Sequence, residues 1–215
     1  MSAKICPSLL SADPTKLGAE LIALEKAGAD AVHWDIMDGN FVDAITFGAH
    51  LVAAHRKLTP LRFDVHLMVQ NPEGHLENFA AAGADVILVH AETCPHLHRT
   101  LCRIRDLGKH PGVALNPATP VDVVKHCTDI LRMVLIMGVN PGSSGQTFIE
   151  SSLQKISELK LMLPSSTEIC VDGGVTDVTI GKCAAAGANS FVSGSYIFAG
   201  DDYSSAIEKL RASCR

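Results

Sequence analysis

Along this 215-residue chain, short runs dominated by Val, Ile and Leu alternate with longer stretches in which apolar positions recur every three or four residues. The short runs predict strands near residues 4–8, 31–36, 62–68, 86–90, 112–115, 132–137, 168–172 and 190–194. Helical stretches are predicted between them, as in Lys16-Leu17-Gly18-Ala19-Glu20-Leu21-Ile22-Ala23-Leu24-Glu25, which has one apolar face. One phrase marks three of the joints: Lys26-Ala27-Gly28-Ala29-Asp30, Ala81-Ala82-Gly83-Ala84-Asp85 and Ala185-Ala186-Gly187-Ala188-Asn189. Each glycine stands just past a helix, where a positive φ ends it cheaply, and the apolar residues that follow open the next strand.

Alternating strands and helices imply parallel pairing. The three joint glycines lie 55 and 104 residues apart, about two and four units if one unit takes roughly 25 residues. Eight such units fill the chain, which predicts a single (β/α)8 barrel domain over residues 1–215. An open nucleotide-binding sheet would carry Gly-x-Gly-x-x-Gly after its first strand, whereas here that strand runs into Pro7-Ser8-Leu9-Leu10-Ser11. The longest loops, 39–46 and 140–146, are expected on the strand-end face, where function sits in barrels.

Composition narrows the class. Residues are 47% hydrophobic, 19% charged and 5% aromatic, and the formal net charge is −5, so no basic face is expected for nucleic acid or for an anionic membrane. Seven cysteines without a Cys-x-x-Cys pair read as reduced thiols. With no signal-like or spanning apolar segment, a cytoplasmic location is expected.

Candidate chemistry gathers at predicted strand ends. The pleat sends His33, Asp35 and Met37 to one side of the second strand and Asp64, His66 and Met68 to one side of the third. The seventh strand ends in Asp172-Gly173-Gly174. His33, Asp35, His66 and Asp172 therefore converge as candidate ligands of one divalent ion, Zn, Fe(II), Mn or Co. Any one of them alone reads as a hydrogen-bonded core residue; three strand ends together favour the ion. Asp38 reads as a turn residue. His96, His98, His110 and His126 read as surface or satisfied residues, and His90, which ends a strand, as intermediate. Glycines in Gly142-Ser143-Ser144-Gly145, Gly173-Gly174 and Gly194-Ser195 offer backbone N–H groups for a phosphate.

The segments Cys6-Pro7-Ser8-Leu9-Leu10-Ser11-Ala12-Asp13, His33-Trp34-Asp35-Ile36-Met37-Asp38-Gly39 and Asp64-Val65-His66-Leu67-Met68 resemble the ribulose-phosphate 3-epimerase family. So do Leu115-Asn116-Pro117-Ala118-Thr119-Pro120, Val139-Asn140-Pro141-Gly142, Val171-Asp172-Gly173-Gly174 and Ser193-Gly194-Ser195. The likeness runs in order from near residue 4 to near residue 200.

The resemblance implies a metal-dependent isomerase that interconverts D-ribulose 5-phosphate and D-xylulose 5-phosphate through an enediolate. Asp35 and Asp172 would be both metal ligands and the two proton-transfer groups. Ser8 and His66 would contact substrate, Met37, Met68 and Met137 would line the reacting carbons, and the glycine-rich loops would take the phosphate. A homo-oligomer is also implied. Two departures stand out: Ser143-Ser144 replaces the usual Phe-Gly pair, and Asn40 and Asp43 replace a common His and Pro. They leave open a 3-epimerase of another ketose, such as D-allulose 6-phosphate or an unphosphorylated sugar, and a non-catalytic sugar-phosphate-binding regulator.

Overall fold

The computed structural model describes residues 3–214; Met1, Ser2 and Arg215, the ends of the predicted domain, lie outside the described residues. Eight parallel strands run β1 (Lys4–Pro7), β2 (Ala31–Met37), β3 (Arg62–Met68), β4 (Val86–His90), β5 (His110–Leu115), β6 (Met133–Met137), β7 (Glu168–Asp172) and β8 (Ser190–Ser193). From β2 to β8 each strand pairs with its sequence neighbour, and β1 pairs with β8. A parallel bridge from Ser8 to His33 draws β1 against β2 and closes the ring. The predicted (β/α)8 barrel is the observed fold.

The surrounding helices are α1 (Leu17–Lys26), α2 (Ala49–His55), α3 (Leu76–Ala81), α4 (Leu97–Asp106), α5 (Ser152–Met162), α6 (Ile180–Ala186), α7 (Ser195–Phe198) and α8 (Tyr203–Ala212). At the three joints, Gly28, Gly83 and Gly187 have φ of 82°, 96° and 120°, as the repeated phrase requires. The fifth gap departs from the helix expectation. Between β5 and β6 only the 3-10 turn Val121–Val124 forms; three of its four residues are β-branched valines, which are weak helix formers. Val121 and Val124 are buried all the same, so the turn covers the sheet. Strand β5 starts at His110, earlier than expected: Pro111 is only its second residue, where a missing donor is tolerated.

Strand alternation divides the apolar residues into two cores. Outward residues such as Trp34, Ile36, Phe63, Val65, Ile87, Val134 and Phe191 pack against the helices. Inward residues such as Cys6, Leu88, Ala114, Leu135, Cys170 and Val192 fill the barrel. At the N-terminal floor, Glu168 accepts hydrogen bonds from Lys4 at 2.5 Å and Arg62 at 2.8 Å, and Arg62 also donates to buried Asp64 at 2.8 Å. This ion-paired floor leaves the opposite mouth as the open end.

Trp34 anchors the outer core, fully buried with its ring 5.5 Å from both Phe47 and Phe63 between centroids. Trp34→Ala is expected to cost about 3–5 kcal/mol, measured by urea unfolding, because the closed sheet cannot collapse into the vacated volume.

Candidate metal centre and active site

The register of β2 on β3 places His33 beside Asp64 and Asp35 beside His66. All four side chains point into the barrel by the two-residue pleat. Asp64 sits toward the floor and is held by Arg62, whereas His33, Asp35 and His66 lie nearer the mouth. There Asp172, the last residue of β7, joins them.

The four predicted ligands each offer one atom, and these atoms lie within 4.8 Å of one another. His33 Nε2 is 3.3 Å from His66 Nδ1, 3.5 Å from Asp35 Oδ1 and 3.8 Å from Asp172 Oδ2. His66 Nδ1 is 3.3 Å from Asp35 Oδ1 and 3.6 Å from Asp172 Oδ2. A tetrahedral ion with bonds of about 2.0–2.1 Å has ligand atoms about 3.3–3.4 Å apart. Five of the six edges thus match or slightly exceed that figure, and two imidazoles with two carboxylates form a donor set that holds divalent transition ions. The residues present fit a divalent metal ion.

Protonation within the cluster follows from burial and charge. Burial opposes ionisation of Asp35, but His33 and His66 outweigh it and hold its carboxyl far below the usual range. Burial and the Asp35 charge push Asp172 up to about 7. His33, which burial alone would lower, is raised to about 9 by Asp35. His66 is lowered to about 4 by burial, against the pull of Asp35. A cation entering the cluster therefore displaces the His33 proton and, below neutrality, that of Asp172.

Above the cluster opens a cavity of about 300 Å³. It is lined by Ser8, Asp35, Met37, Met68, Met137 and Asp172, by Gly142, Ser143, Ser144 and Gly145, and by Gly173, Gly174, Gly194 and Ser195. These are the predicted site residues with two exceptions. His33 and His66 are fully buried below the floor of the cavity and reach it only through the cluster. The Ser8 hydroxyl, expected to face substrate, donates to Asp35 Oδ2 at 2.5 Å. Asp38 takes its turn role, accepting from the N–H groups of Asn40, Phe41 and Gln70.

Two loops shape the rim. Gly174 has φ 67°, and a Cβ there would lie 2.8 Å from the Phe148 Cα, so only glycine brings this backbone so close. In loop 140–146, Gln146 Nε2 donates to the carbonyls of Asn140 and Ser143 at 2.7 and 2.9 Å. Positive φ falls on Gly142 and Gly145, so Ser144 sits without strain in place of a glycine.

Sequence reasoning missed Ser11, Phe148, Thr176 and Thr179, which also line the cavity, and Thr46, whose hydroxyl donates to the Asp35 carbonyl at 2.5 Å. Their positions depend on loop paths that periodicity does not encode. His90 is fully buried, with its Nε2 2.8 Å from His66 Nε2; its place at the end of a predicted strand is the signal that set it apart from the other histidines.

Chelator-stripped protein is expected to gain about 2.7 kcal/mol of stability in a divalent ion at 100 times its Kd, read by thermal unfolding. The gain vanishes in His33→Ala. At a fixed ion concentration it shrinks as pH falls below about 9, and more steeply below about 7, because first His33 and then Asp172 takes up a proton that the ion must displace.

The model of the ribulose-phosphate 3-epimerase family matches residues 4–198. A ribulose-phosphate 3-epimerase of Bacillus subtilis (strain 168) is 49% identical over 98% of this chain and 99% of its own length. One from Synechocystis is 47% identical over 98% and 94%. Among solved structures, KGPDC from Streptococcus mutans superposes with TM-score 0.72 over 99% of this chain and 97% of that one. At 17% identity that likeness concerns the barrel alone. With a family match across nearly the whole chain and relatives near half identity, the chain belongs to the ribulose-phosphate 3-epimerase family.

Proposed function

We propose that this chain is a metal-dependent isomerase that interconverts D-ribulose 5-phosphate and D-xylulose 5-phosphate, with Asp35 and Asp172 as its two proton-transfer groups. The observation that carries the reading is the meeting of these carboxylates in one cavity from β2 and β7, three steps apart around the ring. Inverting a carbon needs a base on one face and an acid on the other, and two carboxylates on separate walls supply both.

The proton on the carbon beside a ketone is weakly acidic. When bound, the divalent ion supplies electrostatic stabilisation of the negative charge that develops on the ketose oxygens. Asp35, its Oδ2 fixed by the Ser8 hydroxyl and its main chain by Thr46, exchanges the proton on one face of the third carbon. Asp172 exchanges the proton on the other, and the two swap roles in the reverse direction. Met37, Met68 and Met137, all nearly buried, keep water from the reacting carbon. The phosphate rests on backbone N–H groups of the Gly173-Gly174 and Gly194-Ser195 turns, with loop 140–146 over it.

His33, Asp35, His66 and Asp172 would hold the ion, and this mixed set suits Zn, Fe(II), Mn or Co. The chain is read as one barrel domain over 1–215, working in the cytoplasm as a homo-oligomer. Among the described residues, no helix is long and apolar enough to cross a membrane.

In heavy water, the metal-loaded enzyme should exchange deuterium into the third carbon of ribulose 5-phosphate while xylulose 5-phosphate appears. Asp35→Asn and Asp172→Asn should each lower epimerisation by at least about 10²–10⁴-fold. Binding of the sugar phosphate without exchange in the wild type would point to a regulator instead; exchange only with another ketose would reassign the substrate.

A further inference from the structure

Behind the cluster, a chain of polar contacts that the proposed reaction does not use runs from the buried His66 and His90 out to the exposed Glu92. His66 Nε2 meets His90 Nε2 at 2.8 Å, and His90 Nδ1 meets Glu92 Oε2 at 3.0 Å. The imidazole rings of His66 and His90 are tilted by only 23°, which suits an in-plane N–H to nitrogen hydrogen bond. Glu92 has its other oxygen committed: Oε1 accepts from the Asn116 N–H at 2.9 Å and from the Thr119 hydroxyl. Burial opposes its ionisation, but the bonds from His90, Thr119 and Asn116 prevail and lower it to about 2.

These contacts set the tautomers one after another. A carboxylate only accepts, so His90 carries its proton on Nδ1. With that proton on Nδ1, His90 Nε2 is the acceptor in the contact with His66, and the bond places the His66 proton on Nε2. That leaves His66 Nδ1 bare, and Nδ1 is the atom that faces Asp35 and His33 in the cluster. The opposite tautomer would aim an N–H at the site of the cation.

We infer that Glu92, acting through His90, is a positioning residue that holds His66 with its Nδ1 lone pair aimed at the metal site. Glu92 is itself held by Leu115-Asn116-Pro117-Ala118-Thr119-Pro120, a motif that lines no part of the main cavity. The motif clamps Glu92 at the end of β5, and Lys155 Nζ in turn donates to the Asn116 carbonyl at 2.6 Å. The inference rests on the four-ligand metal reading and adds to it the residues that orient one ligand.

The test is Co(II) binding to chelator-stripped protein, measured by competition with a chromophoric chelator and by the visible spectrum of the bound ion. Glu92→Gln keeps size and loses charge, and is expected to weaken Co(II) binding by about 10–100-fold and to alter the spectrum. His90→Gln, whose amide oxygen accepts from His66 Nε2, should retain more affinity than His90→Leu. If Glu92→Gln binds Co(II) within about twofold of wild type with an unchanged spectrum, the inference is overturned while the metal site stands. If wild type itself takes up no Co(II), the metal reading fails and this inference with it. Should His90→Leu not fold, Glu92→Gln alone decides.

Discussion

The mouth of this barrel depends on the pleat of two neighbouring parallel strands. Alternate residues face one side, so the β2 to β3 register that sets Asp35 beside His66 also brings the His33 and His66 nitrogens to 3.3 Å. A slip of one residue would turn all of them into the helix layer and bring Trp34 and Val65 inside. The outer core forbids that slip, because Trp34, Phe63 and Val65 are locked among aromatic and branched neighbours. Packing on one face of the strands thereby fixes the chemistry on the other.

Burying two imidazoles and two carboxylates at one spot works against folding, since each loses hydration. The barrel distributes its polar groups to contain that cost. At the floor, Lys4, Arg62, Asp64 and Glu168 neutralise one another. At the mouth, Asp35 is satisfied by Ser8 and His66 by His90. Asp172 has no side-chain donor of this kind, only the Gly173 N–H, and its carboxyl is pushed up to about 7. His33 Nδ1, fully buried, has no hydrogen-bond partner among the described residues. The four groups are left to be balanced by a cation or by protons, which is the condition expected of a functional centre.

Much of this was legible in the sequence, for physical reasons. Apolar runs and the Ala-Gly-Ala joints revealed the barrel because periodicity and positive φ are local properties. His33, Asp35, His66 and Asp172 were legible because strand alternation and strand ends suffice to aim them. The loop-borne Phe148, Thr176 and Thr179 were not, since their approach to the cavity depends on how Gly174 folds against Phe148. Glu92 was hidden for a similar reason: it lies in a short 3-10 turn, and its partners Asn116 and Thr119 follow 24 and 27 residues later. The fifth gap showed propensity at work, with a valine-rich segment leaving a turn where a helix was expected.

The central claim is that one divalent ion is held by these four side chains, and anomalous diffraction from metal-loaded crystals tests it most directly. A single peak per chain is predicted at the β2, β3 and β7 ends, about 2.0–2.2 Å from His33 Nε2, His66 Nδ1 and one oxygen each of Asp35 and Asp172. A loaded protein whose ion lies elsewhere, or is bound through His66 Nε2, would contradict it.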